Sequence, residues 1–291
     1  MFSNPVDFVL PRIRRMRSYI PGFQPKDPAI IKLNSNENPF PISENVKAAL
    51  LREIESGAMQ KYPDPSARTL REKLAAKHSL SPENFIVGNG SDEILSILFR
   101  CLLEDEEVVV TANPTYSLYP VLAQMTGAAI SEIDLRDDWH MDFNAMLAQT
   151  ASRLAKLTII ANPNAPTGLA ESAADILDFA ERNKGLTLVD EAYVDFGAQS
   201  VAKYAGSEKY PRLLVCGTFS KAYSLAGARL GWLAAAKELC VEFEKIKDSY
   251  NVSRLAQAAG AAALDDEEEI QRRHEIVKQV REKTVTALRS F

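Results

Sequence analysis

Histidine and cysteine are both scarce in this chain of 291 residues, with three of each. His78, His140 and His274 are scattered, as are Cys101, Cys216 and Cys240, so neither the ligand spacing of a zinc site nor a disulfide framework is present, and no metal is expected. An odd number of widely spaced thiols reads as reduced core residues, which fits a cytoplasmic setting. Also missing is any apolar run near the ~20 residues of a spanning helix, so no membrane contact is expected. Excess positive charge is absent as well. The formal net charge of -5 provides no field that attracts a phosphodiester backbone, and nucleic acid is not an expected partner. The local cluster Arg12, Arg14, Arg15 and Arg17 has no apolar core ahead of a small-residue cleavage site; it reads as a solvated arm or a subunit contact, not a targeting signal.

What is present is a folding composition, 46% hydrophobic and 25% charged. The length lies near the size where single cores split, so a large domain with a smaller companion is expected. Short apolar runs recur, "FIVG" at 85, "EVVVTA" at 107, "LTIIA" at 157, "LTLVD" at 186 and "LLVCG" at 213, mostly separated by stretches of helical period. One such stretch, 92 to 104, sets Ile94, Ile97, Leu98, Cys101 and Leu102 on one face. The alternation predicts an α/β fold with a mostly parallel sheet. Residues 1 to 40, rich in Pro and Asn, read as an irregular arm. The last stretch carries Ile270, Val277, Val280, Leu288 and Phe291 as a helical stripe that needs a partner, or belongs to something longer.

Each run is followed by a chemically loaded tail: "NPTYSLY", "NPNAPTG", "DEAY" and "TFSK". Ligands of open parallel sheets sit beyond the carboxyl ends of the strands, so these tails converge if the runs are neighbours. "VGNGSDE" at 87 places two glycines and a serine ahead of a helix, where free N–H groups and the positive dipole end favour an anion; a plain strand-to-helix turn is an equal reading. The third glycine of a dinucleotide fingerprint is missing, since Glu93 stands there. Asp190 closes a strand, where a buried carboxylate needs a polar partner, and Tyr193 follows it. Lys221 and Arg229 are either solvated charges or something sharper. A desolvated lysine becomes a nucleophile for a carbonyl, while Ser220 and Arg229 add a hydroxyl and a forked cation to the anion site. A lysine for an aldehyde, an aspartate for a pyridinium nitrogen and a phosphate nest together describe pyridoxal 5'-phosphate (PLP).

"NPNAPTG", "DEAYVDF" and "TFSKAYSLAGARLGW", in that order, closely resemble the class I/II aminotransferases of PLP fold type I. "KLNSNENPF", "YPDPSARTLREKLA", "GNGSDEIL" and "NPTYSLY" are similar, within it, to the histidinol-phosphate aminotransferase family. The resemblance implies an N-terminal arm over 1–40, a large PLP-binding domain over 41–260 and the start of an incomplete small domain over 261–291. It implies Lys221 as the residue that bonds the cofactor's aldehyde and moves the proton, Asp190 as partner of the pyridine nitrogen and Tyr193 as partner of the ring's 3-oxygen. Tyr116 would stack on the ring. Ser91 and Asp92 would hold the phosphate through backbone N–H groups together with Ser220 and Arg229, the Asp92 carboxylate turned away. Tyr62 would reach the cofactor phosphate of a neighbouring subunit, making a homodimer the functional unit, and Tyr19 and Asn36 would lie near substrate.

Two departures stand out. Ala165 occupies the position before "PTG" where the family commonly has a cofactor-binding asparagine, so Asn164 or Asn162 substitutes, or Tyr193 acts alone. The segment that carries the family's substrate-carboxylate arginine would lie beyond Phe291. The expected reaction is amino transfer from L-histidinol phosphate, or a related donor, to 2-oxoglutarate. The alternatives are a threonine-phosphate decarboxylase-like PLP enzyme and a truncated PLP-binding chain without turnover.

Overall fold

The structure is a computed structural model that describes residues 4–16, 22–27 and 29–291. Ahead of the sheet come α1 (Pro11–Arg15), α2 (Glu44–Glu55) and α3 (Arg68–His78). The first half of the sheet region runs β1 (Phe85–Gly88), α4 (Gly90–Leu102), β2 (Val108–Asn113), α5 (Leu118–Thr126), β3 (Ala129–Asp134) and α6 (Phe143–Arg153). The second half runs β4 (Leu157–Ala161), α7 (Ala173–Arg182), β5 (Leu186–Asp190), β6 (Leu213–Thr218), β7 (Gly231–Ala234), α8 (Lys237–Glu244), α9 (Arg254–Leu264) and α10 (Glu267–Leu288).

The strands form one sheet in the order β1-β7-β6-β5-β4-β2-β3, in which all run the same way except β7, antiparallel to both its neighbours. The five apolar runs are β1, β2, β4, β5 and β6, and their residues are buried almost without interruption, as a parallel sheet covered on both faces requires. One face packs Ile86, Val109, Ile159, Leu188 and Leu214 against α4, α5 and α8. The other packs Val87, Val110, Ile160, Val189 and Val215 against residues of α2, α3, α6, α7 and α9. This sandwich brings the carboxyl ends of β4, β5 and β6 side by side.

Two strands were not among the sequence expectations. β3 is a half-exposed edge strand with alternating polarity, and β7 is only four residues, "GWLA", the first two of which close the motif "ARLGW". α4 begins at Gly90 rather than Asp92, and Leu95 and Phe99 join Ile94, Ile97 and Leu98 in the core while Cys101 and Leu102 are half-buried. The reason is packing on several sides: the helix lies between the sheet and the neighbouring helices α5 and α8, so one stripe does not describe it. The expected boundary after 260 falls inside α9. The expected stripe of α10 is buried only at Ile270, with His274 beside it; Val277 is half-buried, and Val280, Leu288 and Phe291 are exposed. The arm is not wholly irregular: a 3-10 turn at Pro5–Phe8 precedes α1, and Arg12 Nε donates to the Met125 carbonyl at 3.1 Å. Among the described residues no helix is long and apolar enough to cross a membrane.

Gly231 faces the start of α4, where a Cβ would come within 2.5 Å of the Gly90 carbonyl carbon and the Ser91 nitrogen. Backbone cannot yield as a side-chain tip does. Gly231→Ala is therefore expected to lower the unfolding free energy by about 1–3 kcal/mol in urea titration at unchanged m-value. Gly227→Ala, whose Cβ would meet nothing within 4 Å, is expected to leave it unchanged.

Candidate functional site

A cavity of about 350 Å³ opens where the ends of β4, β5 and β6 meet the start of α4. Ser91, Asp92, Tyr116, Asp190, Tyr193, Ser220, Lys221 and Arg229 all line it, so eight of the residues singled out in the sequence come together. Tyr19 lies outside the described residues.

Asp190 ends β5 and is 5% exposed. Its Oδ2 accepts the Tyr119 hydroxyl at 2.8 Å and its Oδ1 the Ala192 N–H at 3.1 Å. Burial pushes the carboxyl above its ordinary range, and the donors Tyr119, Ala192 and Cys216 pull it back. Sequence reasoning missed Tyr119; the signal was its place in "NPTYSLY", three positions after Tyr116, which puts both rings on one side of the α5 start. The two rings meet edge to face at 5.5 Å.

Lys221 follows β6. Its Nζ donates to the Ser35 carbonyl at 2.7 Å and stands 5.6 Å from the centre of the Tyr193 ring. Asn36 Nδ2 donates to the Tyr193 hydroxyl at 2.9 Å, so the arm reaches the site through two consecutive residues, both at positive φ. The lysine's own backbone is held as well. Asn38 Nδ2 donates to the Lys221 carbonyl at 2.9 Å, and His274 Nε2, on α10, donates to the Ala222 carbonyl at 3.2 Å. Neither was singled out as a site residue, because a side chain that holds backbone leaves no chemical pattern in sequence.

At the opposite end, α4 begins at Gly90 with φ of +81°, and its first N–H groups have no partners within the helix. A Cβ at Gly90 would come within 2.6 Å of Arg229 Nη2, so the glycine lets the guanidinium approach the helix start. Ser220 is buried beside it, its hydroxyl accepting from Thr218 at 3.0 Å. The Asp92 carboxylate is not turned away as expected. It accepts Arg229 at 3.0 Å and the Tyr116 hydroxyl at 3.2 Å, because the guanidinium and an acid in the first helical turn attract one another across the cavity wall.

Four further residues do not line this cavity itself. Asn164 is buried and lines an adjoining lobe with Tyr193 and Lys221, while its side chain accepts Thr115 at 2.7 Å and donates to the Pro114 carbonyl at 3.0 Å, locking one strand-end loop to another. Asn162 is likewise engaged, its Oδ1 accepting the Glu171 N–H at 2.8 Å, and Ala165 lines the main cavity. Tyr62 is 75% exposed and stacks on Tyr250 at 4.4 Å, facing out of its own chain's cavity. Asn36 lines an adjoining lobe that shares Tyr193 and Lys221 with the main cavity.

Next to Asp190, Glu191 is 2% exposed and points to the other face, accepting the Ser200 hydroxyl at 2.6 Å and the Val201 N–H at 2.7 Å. Burial raises it from 4.5 to about 7. Between these values the folded chain holds a proton that the unfolded chain has released, so Glu191 favours folding at low pH and loses that contribution as pH rises to 7. Glu191→Gln removes the titration. The unfolding free energy of the wild type, measured by urea titration against that of the variant, is expected to fall by roughly 3 kcal/mol from pH 4 to pH 8.

The class I and II aminotransferase family model matches residues 28–290. The histidinol-phosphate aminotransferase of Chromohalobacter salexigens is 40% identical over 288 residues, 98% of this chain and 80% of that protein. That of Geotalea uraniireducens is 41% identical over 258 residues, 88% of this chain and 72% of that protein. Among solved structures, histidinol-phosphate aminotransferase from Sinorhizobium meliloti in complex with pyridoxal-5'-phosphate superposes with a TM-score of 0.78 at 29% identity, over 82% of this chain and 65% of that one. Aspartate aminotransferase from Thermus thermophilus with maleate, 24% identical over 84% of this chain and 67% of that one, shares the fold with a TM-score of 0.77.

Proposed function

The chain belongs to the class I and II aminotransferases of PLP fold type I, and we propose that it transfers the amino group of L-histidinol phosphate to 2-oxoglutarate in histidine biosynthesis. The observation that carries this reading is the convergence of an amine, a buried carboxylate and an anion cradle on one cavity. The donor set fits PLP at both ends: Asp190 keeps a face toward the cavity for a ring N–H, and the α4 start, Ser220 and Arg229 offer donors for a phosphate. When bound, the cofactor supplies an aldehyde for the amine and a ring that accepts electrons from the substrate's Cα.

The chain's own residues do the rest. Asp190, kept from water, attracts the ring's proton more strongly than a solvated acid would. Lys221 Nζ, which here donates to the Ser35 carbonyl, would be the amine that holds the cofactor's aldehyde end and the group that would move a proton at the substrate's Cα. The Tyr193 hydroxyl, oriented by Asn36, serves the ring's 3-oxygen without help from position 165. The Tyr116 ring covers one side of the cavity and excludes water from the reacting face. Tyr62, exposed and stiffened by its stack on Tyr250, suits a role across a homodimer interface, at the phosphate end of a second copy's site.

The purified chain with PLP is expected to show an absorption band that is absent in Lys221→Ala and that shifts on addition of L-histidinol phosphate, returning when 2-oxoglutarate follows. Turnover in Lys221→Ala is expected to fall by at least roughly 10²–10⁴-fold. A band that does not respond to the donor, or carbon dioxide released without need of a keto acid, contradicts the proposed reaction.

A further inference from the structure

We propose that Tyr119 is a positioning residue: its hydroxyl, with the Cys216 thiol, aims the Asp190 carboxylate so that one lone pair is left to face the cavity and hold the cofactor's ring nitrogen. The inference rests on the PLP reading above and deepens it.

A carboxylate offers about four lone-pair directions. Asp190 spends one on the Tyr119 hydroxyl at 2.8 Å, one on the Ala192 N–H at 3.1 Å and one on the Cys216 thiol, its register partner on β6. All three donors come from the protein, and Asp190 lines the cavity, so the acceptor capacity left over is available to a ligand there. Without Tyr119 a buried Oδ2 loses its hydroxyl donor, and the carboxylate is free to rotate or to keep a proton of its own. Either outcome removes the acceptor that a ring N–H needs.

Tyr119 is not merely a core ring. Its side chain is fully buried, where a phenol needs a partner, and that partner is the carboxylate. Phenylalanine would fill nearly the same volume. The hydroxyl therefore contributes orientation to Asp190 more than it contributes packing. It stays protonated, since burial and the neighbouring carboxylate push its ionisation well above the ordinary tyrosine value.

The test is equilibrium binding to cofactor-stripped protein, followed by fluorescence titration, with two probes: PLP and its 1-deaza analogue, which has C–H in place of the ring nitrogen. Tyr119→Phe is expected to weaken PLP roughly tenfold and to leave the analogue unchanged, because only PLP uses the aimed lone pair. The loss for PLP should also begin at higher pH than in wild type, since a carboxylate with one donor fewer takes up its proton sooner. Equal weakening of both probes would show a packing effect and overturn the proposal, as would unchanged PLP affinity. Should Tyr119→Phe fail to fold, Cys216→Ala removes the other side-chain donor and is read by the same comparison. A wild-type chain that binds neither probe overturns the PLP reading itself, a failure distinct from the two above.

Discussion

A carboxylate buried at a strand end is the constraint around which this molecule is arranged. Charge in a protein interior persists only where donors surround it, and Asp190 has them from three directions: a helix start through Tyr119, a neighbouring strand through Cys216 and its own backbone through Ala192. Each donor belongs to an element whose own place is set by apolar packing. The parallel sheet, covered on both faces, is thus the scaffold that makes an expensive charge tolerable, and the cavity is where that charge is still exposed to chemistry.

The opposite end of the cavity obeys a different rule. Arg229 and Asp92 are each nearly half exposed, so their pair is screened and contributes no more than about 1 kcal/mol. An anion that offers more acceptors than one carboxylate, and that also meets the free N–H groups of α4, can displace Asp92 at little cost. The site combines a rigid, desolvated end with an exchangeable, wetter one. A cofactor would be oriented by the first and admitted through the second.

Much of this was legible in the sequence, because strands buried on both faces leave continuous apolar runs and their loaded tails follow directly. β1, β2, β4, β5 and β6 were visible for that reason, and the residues that meet in the cavity are largely those tails. β3 and β7 were not: one is an edge strand of mixed polarity, the other four residues that begin at the tail of a motif read for its chemistry. The residues that hold others in place were equally hidden. Tyr119, Asn38 and His274 act through Asp190 and through the backbone at Lys221 and Ala222, contacts spanning 71, 183 and 52 positions of sequence respectively. Asn164 carries a second role that its motif does not announce, since its side chain locks two strand-end loops together beside Tyr193 and Lys221.

The adjacent acids 190 and 191 show how one strand end separates two demands. Alternation sends their side chains to opposite faces, so each meets its own donors: a phenol, a thiol and one N–H for Asp190, a serine hydroxyl and one N–H for Glu191. Their charges still repel, and each buried charge makes the other harder to keep. Burial above all, with the Asp190 charge as a lesser cause, raises Glu191 to about 7. Burial raises both acids, and at each the donors of its own face oppose the rise, so the strand end keeps two carboxyls apart by giving each a separate set of partners.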